Sequence, residues 1–252
     1  MKKFLGVLAA LGLLGAGALA IRWNEGKGPA QAVRAPAERP SLALLTSLPL
    51  LFAEEFSLQG GGSPALTRLE QRYAVVPIAV ADAASLRGQT TLLMAHPRAQ
   101  PAEALVDLDA WVRGGGRLLL LADPKLDWDS SLPLGDPLRP PPNFADTGLL
   151  AHWGLGLEGP LVDGPAMASG ANHDILAASP GTLISSAKGC AITDRGFLAR
   201  CAIGKGRVTV IADADFLNVS GPGALDGPTA KNLDLLVDEL VRLESGKVAA
   251  KQ

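Results

Sequence analysis

Five short runs of almost uninterrupted apolar residues, at 42–45, 75–81, 91–95, 118–122 and 208–212, constrain this chain more than any other feature of its sequence. A strand with one wet face alternates apolar with polar residues. A strand that is apolar at every position is buried on both faces, as in a parallel sheet covered by helices. Amphipathic helical patterns separate the runs. Ser63-Pro64 reads as an N-cap followed by proline at the first helical position, opening a helix to about residue 72. Pro101 opens a second, in which Leu105, Leu108 and Val112 form the buried stripe and Gly114, Gly115 and Gly116 end it. Pro228 opens a third, with Leu233, Leu236, Val237, Leu240 and Val241 at helical spacing up to Glu244. The expected fold is α/β: a mostly parallel open sheet with helices on both faces, plus a β-hairpin.

Ahead of this domain, Lys2 and Lys3 precede a charge-free apolar run over residues 4–21, followed by Arg22. At 1.5 Å per residue the run reaches about 27 Å, enough for the hydrocarbon core of a bilayer. Ala18-Leu19-Ala20 also matches a signal-peptidase site, so an uncleaved anchor and a cleaved export signal both stay open. Either places the rest outside the cytoplasm by the charge asymmetry, in the periplasm of a bacterium with its inner membrane reached through residues 4–21. Residues 22–40, rich in Pro, Ala and Gly, read as a tether, 41–244 as the domain and 245–252 as a tail. The 252 residues carry a net charge of -2 and only 4% aromatics, which excludes the basic stripe and stacking platforms of a nucleic-acid binder.

The two cysteines, Cys190 and Cys201, flank a strand-turn-strand pattern. With Arg195-Gly196 as a two-residue turn, paired positions sum to 391, so Cys190 faces Cys201 on a hydrogen-bonded rung, within disulfide reach. The export segment supplies an oxidising compartment for the bridge. Between residues 124 and 181 the pattern weakens, only 147–153 looks helical, and Pro137 with Pro140, Pro141 and Pro142 interrupts regular structure. A proline-rich insert after a central strand is expected to lie as a flap over the sheet's carboxyl edge.

Four runs end in alanine followed by a titratable residue: Ala81-Asp82, Ala95-His96, Ala122-Asp123 and Ala212-Asp213, the last continuing to Asp215. In a parallel sheet these positions line the carboxyl edge, where open α/β folds bind ligands. Asp82, His96, Asp123, Asp213 and Asp215 are therefore the candidate ligand-binding set. Asp213 and Asp215 are two apart on extended chain and point the same way. Carboxylates with a histidine suit a divalent cation or acid-base chemistry, and equally cap turns. No catalytic residue, resident metal or cofactor is assigned: no G-x-S-x-G elbow occurs and no His or Cys has metal-ligand spacing. His152 and His173 read as ordinary surface or packing residues. The Gly60, Gly61, Gly62 turn ahead of Ser63 is a weak anion signal, and Asn218-Val219-Ser220 a chance-frequency glycosylation match.

Two stretches carry a resemblance: His96-Pro97 with the following helix, Trp111 to Arg117, the strand and Asp123-Pro124; and Gly204 to Leu217 followed by Asn232 and a leucine-rich helix. Together they resemble the extracytoplasmic domain of GldG-type proteins, auxiliary or substrate-binding-like components of uncharacterized ABC transport systems. That resemblance implies a flavodoxin-like or glutamine amidotransferase-like fold without the catalytic cysteine. It also implies a membrane-tethered, non-enzymatic role, with an ABC permease and ATPase as partners. A periplasmic hydrolase using the strand-end residues and a purely structural envelope scaffold are the alternative expectations.

Overall fold

The computed structural model describes residues 32–52, 62–170, 173–221 and 223–246. The apolar run 4–21 and the tail beyond 246 lie outside the described residues, as do Gly60 and Gly61. Among the described residues no helix is long and apolar enough to cross a membrane. Residues 33–252 form a compact unit of their own.

Its centre is a seven-stranded sheet. β1 (Ser41–Thr46), β2 (Ala74–Pro77), β3 (Thr91–Ala95), β4 (Arg117–Leu121) and β11 (Gly206–Ile211) run parallel, and β10 (Leu198–Ile203) and β9 (Cys190–Thr193) add an antiparallel extension. The order is β2-β1-β3-β4-β11-β10-β9. Every residue of β3 is buried, as its unbroken apolar sequence requires. Alternate residues feed two separate cores. Leu93, Leu119 and Ile211 pack under α1 (Pro64–Glu70) and α4 (Asn232–Ser245). Leu92, Leu118 and Val208 pack under α2 (Ala102–Arg113) and the short α3 (Leu149–His152). Helices thus cover both faces of an open, mostly parallel sheet.

Local signals account for the element ends. The Ser63 hydroxyl accepts the Leu66 N–H at 3.1 Å, as an N-cap should, with Pro64 in the first turn. α2 stops at Gly114, and Gly115 takes φ +123°, a region closed to residues with a Cβ. Gly206 starts β11 against the end of α2, where a Cβ would meet the Val112 carbonyl at 2.0 Å.

Four expectations need correction. The run 75–81 is a strand only as far as Pro77, so Ala81-Asp82 ends no strand. β2 is one of the sheet's two outer strands, and beyond Ile78, whose N–H still bonds the Leu44 carbonyl at 2.9 Å, its chain leaves the sheet, with the Ala81 N–H bonded to the Gln100 side chain instead. The last helix begins at Asn232, four residues after Pro228, and the Asn232 side-chain amide in its first turn bonds the Leu176 backbone and the Phe216 carbonyl. Residues 155–185 contain two antiparallel pairs, β5 (Leu155–Glu158) with β8 (Thr182–Ser185) and β6 (Pro165–Gly170) with β7 (His173–Ala178). The cysteine register holds its sum, Cys201 opposite Cys190, and the disulfide is present with Cα atoms 4.0 Å apart. The turn, however, spans four residues, Asp194 to Phe197, and the hydrogen-bonded rung is the next one, Ala202 N–H to the Gly189 carbonyl. The cysteines therefore occupy a non-hydrogen-bonded rung, where facing Cα atoms approach more closely.

Candidate functional site at the carboxyl edge

β4 and β11 are neighbours, so the residues just past their ends meet. Asp123 follows β4 and Asp213 follows β11, while Asp215 opens a single 3₁₀ turn (Asp215–Leu217), so Asp213 and Asp215 do not stand on extended chain as expected from their spacing. Their carboxylate oxygens lie within 4.8 Å of one another, and all three residues are buried, at 0%, 0% and 2% exposure. Neither of the other two sequence candidates joins them. Asp82 sits in the loop after β2, where its Oδ1 accepts the Ser85 N–H at 2.8 Å, an Asx turn that holds its pKa below the usual value. His96 is at the edge, fully buried after β3 with φ +46°, but it faces the flap. Its Nε2 lies 2.8 Å from the Pro141 carbonyl. A carbonyl only accepts, so Nε2 carries the proton and Nδ1 is left buried with no partner. Burial brings the His96 pKa down to about 4, keeping the ring neutral.

The aspartate oxygens are occupied by backbone donors. Asp123 Oδ1 accepts Lys125 N–H at 2.9 Å and Oδ2 accepts Ala214 N–H at 2.8 Å. Asp213 accepts Phe216 N–H at 2.8 Å and Ala178 N–H at 3.1 Å, the latter reaching across to β7. Asp215 Oδ2 accepts Asp127 N–H at 2.8 Å. These bonds tie the flap (residues 124–148) and the β7–β8 turn to the sheet. Phe144 N–H to the Asp123 carbonyl and Leu126 N–H to the Pro142 carbonyl, at 2.6 and 2.9 Å, close the flap's base.

Three carboxyls so close and so dry cannot all ionise. Burial, then mutual repulsion, raises Asp213 well above the ordinary carboxylate range. The same causes bring Asp215 up to about 8, helped by a hydrogen bond to Asp123 that favours its protonated form. Burial lifts Asp123 only to about 6, because its backbone donors favour the charge. The cluster holds protons at neutral pH.

The edge also uses residues that the sequence did not single out. Ser179, buried at φ +45°, donates its hydroxyl to Asp127 and accepts the Gly164 N–H at 2.8 Å. Lys125 pairs with Asp163 at 2.9 Å. Ser179-Pro180 and the Asp127-Trp128-Asp129 run were the available signals, but nothing local joins them. His173 pairs with Asp238 at 2.8 Å, and His152 lies 3.5 Å from Asp109. Asn218 is buried and donates to the Gly223 carbonyl, so its amide is not presented for glycosylation.

No family model matches the chain. No curated protein matches it either. Among solved structures, a cytoplasmic protein of Salmonella typhimurium superposes with TM-score 0.52 at 12% identity, over 81% of this chain and 99% of that one. A ThuA-like protein of Bacteroides uniformis gives 0.49 at 10%, over 86% and 96%. An exo-β-1,4-mannosidase of an Opitutaceae bacterium gives 0.43 at 14% over 82% of this chain, which spans only 34% of that enzyme's length. At these identities the likeness is one of fold alone: a mostly parallel open α/β sheet in the flavodoxin-like strand order, with an added disulfide-linked antiparallel hairpin.

Proposed function

We propose that this chain is a membrane-held, extracytoplasmic binding domain without catalytic activity, an auxiliary component beside an ABC-type permease and ATPase. One observation carries the reading. The edge where this architecture places its chemistry is closed by the protein's own backbone, with both oxygens of Asp123 and of Asp213 bonded to loop N–H groups. Binding then falls to the outer surface of the flap. That surface presents Leu134 and Leu138, at 89% and 76% exposure, beside a cleft of about 300 Å³ lined by Arg98, Trp128, Arg139 and prolines. The disulfide fits the oxidising compartment implied by residues 4–21. The test is affinity capture of the full chain from detergent-solubilised membranes. Recovery of permease and ATPase subunits, reduced by Leu134→Asp, supports the role; their absence counts against it.

A second reading, a hydrolase, is favoured by the aspartate cluster, since three converging carboxylates suit a hard divalent cation. It requires that Mg²⁺, Mn²⁺ or Ca²⁺ raise the melting temperature of the wild type but not of Asp215→Asn. No shift with any of the three removes this reading.

A further inference from the structure

We infer that the amino edge of the sheet is a docking surface for anionic phospholipid headgroups. The membrane enters from the reading proposed above, in which residues 4–21 hold the chain at a bilayer; the surface itself is read from the domain alone. In a mostly parallel sheet the strand starts share one edge. Here Arg39 stands two residues before β1, Arg117 opens β4, Arg207 is the second residue of β11, Lys205 sits in the β10–β11 turn, and Lys188 precedes β9 by two. None of the five takes part in an ion pair among the described residues.

Arg117 and Arg207 are register partners on adjacent strands, and each keeps a buried Nε with no hydrogen-bond partner. Arg117 also lines a cleft of about 430 Å³ together with Arg34, Thr90 and Thr91. Two acids stand there as well, but Glu244 is neutralised by Arg34 at 2.8 Å, leaving Glu38 alone. The two buried Nε atoms lie out of a headgroup's reach, but both residues are partly exposed and held in no ion pair among the described residues, and a forked guanidinium matches phosphate oxygens.

The arrangement fits a surface better than a single small anion. From β1 to β9 the order runs through five strand spacings, so the cations form a row of about 24 Å. The chain also enters β1 at this edge, at Ser41. Residue 21 stands 20 positions earlier, and such a length reaches at most about 70 Å even when extended. The edge nearest in sequence to the apolar run is therefore the basic one, while Asp123, Asp213 and Asp215 occupy the far edge.

The domain of residues 33–252 folds around cores built wholly from residues 42–243, so it can be tested without the N-terminal segment. It is sedimented with phosphatidylcholine vesicles, with and without phosphatidylglycerol. The expected result is binding to phosphatidylglycerol vesicles alone, abolished at high salt and weakened about fivefold for each cation removed in Arg117→Gln and Arg207→Gln. Lys231→Gln, the same charge change at the other end of α4, leaves binding unchanged. Should the arginine variants melt early, the exposed pair Lys188→Gln and Lys205→Gln gives the same readout. Equal sedimentation with both vesicle types, or unaltered binding by the variants, overturns the inference. So does displacement by inorganic phosphate but not by chloride of equal ionic strength, which identifies a free-anion site. Because residues 1–32 are missing from this experiment, its failure leaves the anchor untouched. Alkaline extraction of membranes holding the full chain tests that separately.

Discussion

The two edges of the sheet hold opposite charges and treat them in opposite ways. At the carboxyl edge the charged groups are buried and their oxygens are consumed by backbone N–H groups of the loops. At the amino edge Arg39, Arg117, Lys188, Lys205 and Arg207 are partly or fully exposed and in no ion pair among the described residues, although Arg34 and Glu244 pair there and Arg72 is buried. Buried polar groups must be bonded or they destabilise the fold, whereas exposed charges cost little to keep free. The acidic edge therefore spends its side chains on holding loops, and the basic edge keeps its side chains available.

That contrast breaks if removal of an aspartate leaves stability unchanged. Asp213→Ala strands the Ala178 and Phe216 N–H groups in the core, at about 1–3 kcal/mol each. A loss of about 3 kcal/mol is expected in urea unfolding at pH 5, and a smaller one at pH 8, where removing a carboxylate also relieves repulsion.

The next effect is on pH dependence. Asp215 has a folded pKa of about 8 against 3.8 unfolded, so the folded state binds the proton more tightly. Its stabilisation is complete below pH 3.8 and is lost as pH rises toward 8. Between pH 6.5 and 8 the loss is about 2 kcal/mol. Asp215→Asn can still accept from Asp127 N–H while donating to Asp123, so it should reduce this decline, Asp213 keeping its own part of it; a wild type equally stable at both pH values disproves the shared protons.

His96 works in the opposite direction. Its folded pKa of about 4 lies below the unfolded 6.5, so its contribution is present above pH 6.5 and is lost as pH falls toward 4. His96→Leu leaves the Pro141 carbonyl without its donor and should cost about 1 kcal/mol at pH 7. It should also flatten the acid limb of the melting-temperature profile. Smallest of all, Arg117→Gln with Arg207→Gln should change stability by less than about 0.5 kcal/mol, since neither guanidinium is paired. A larger loss would mean that these arginines hold the fold as the aspartates do, and would break the contrast.

The core of the fold is legible because β1, β3, β4 and β11 are buried on both faces, so their polar residues stand almost entirely at strand ends and the interiors, Thr209 apart, are unbroken apolar runs. β2 was overextended because an outer strand half-exposed at Val75 and Val76 reads like an inner one, and the apolar loop after Pro77 continues the run. β6, with Ala, Ser and Gly around one Met, gives no alternation, and β7 offers only Ile175 and Leu176 as large apolar residues, too few to mark a strand. Within the candidate site, the strand-end signal located Asp123, Asp213 and Asp215 and placed them together. It could not show that Lys125, Asp127, Ala178 and Phe216 would supply their N–H groups. Lys125 and Phe216 are local partners, two and three residues after the aspartates they bond, whereas Asp127 and Ala178 arrive from the flap and from the end of β7, and only the tertiary arrangement brings those two to the carboxylates. Asp82 failed for a local reason, the Asx turn with Ser85.

The disulfide lies on the outermost strand. β9 pairs only with β10 within the sheet, through four residues, and the bond fastens the end of that pairing opposite its turn. With the bond intact, β9 covers the open side of β10 and cannot peel away. Reduced, it becomes a short strand anchored at its turn alone, and β10 becomes a template on which another chain's strand could pair. The same loss would loosen the core under α2, where Cys201 is buried and Cys190 and Ile192 pack against it.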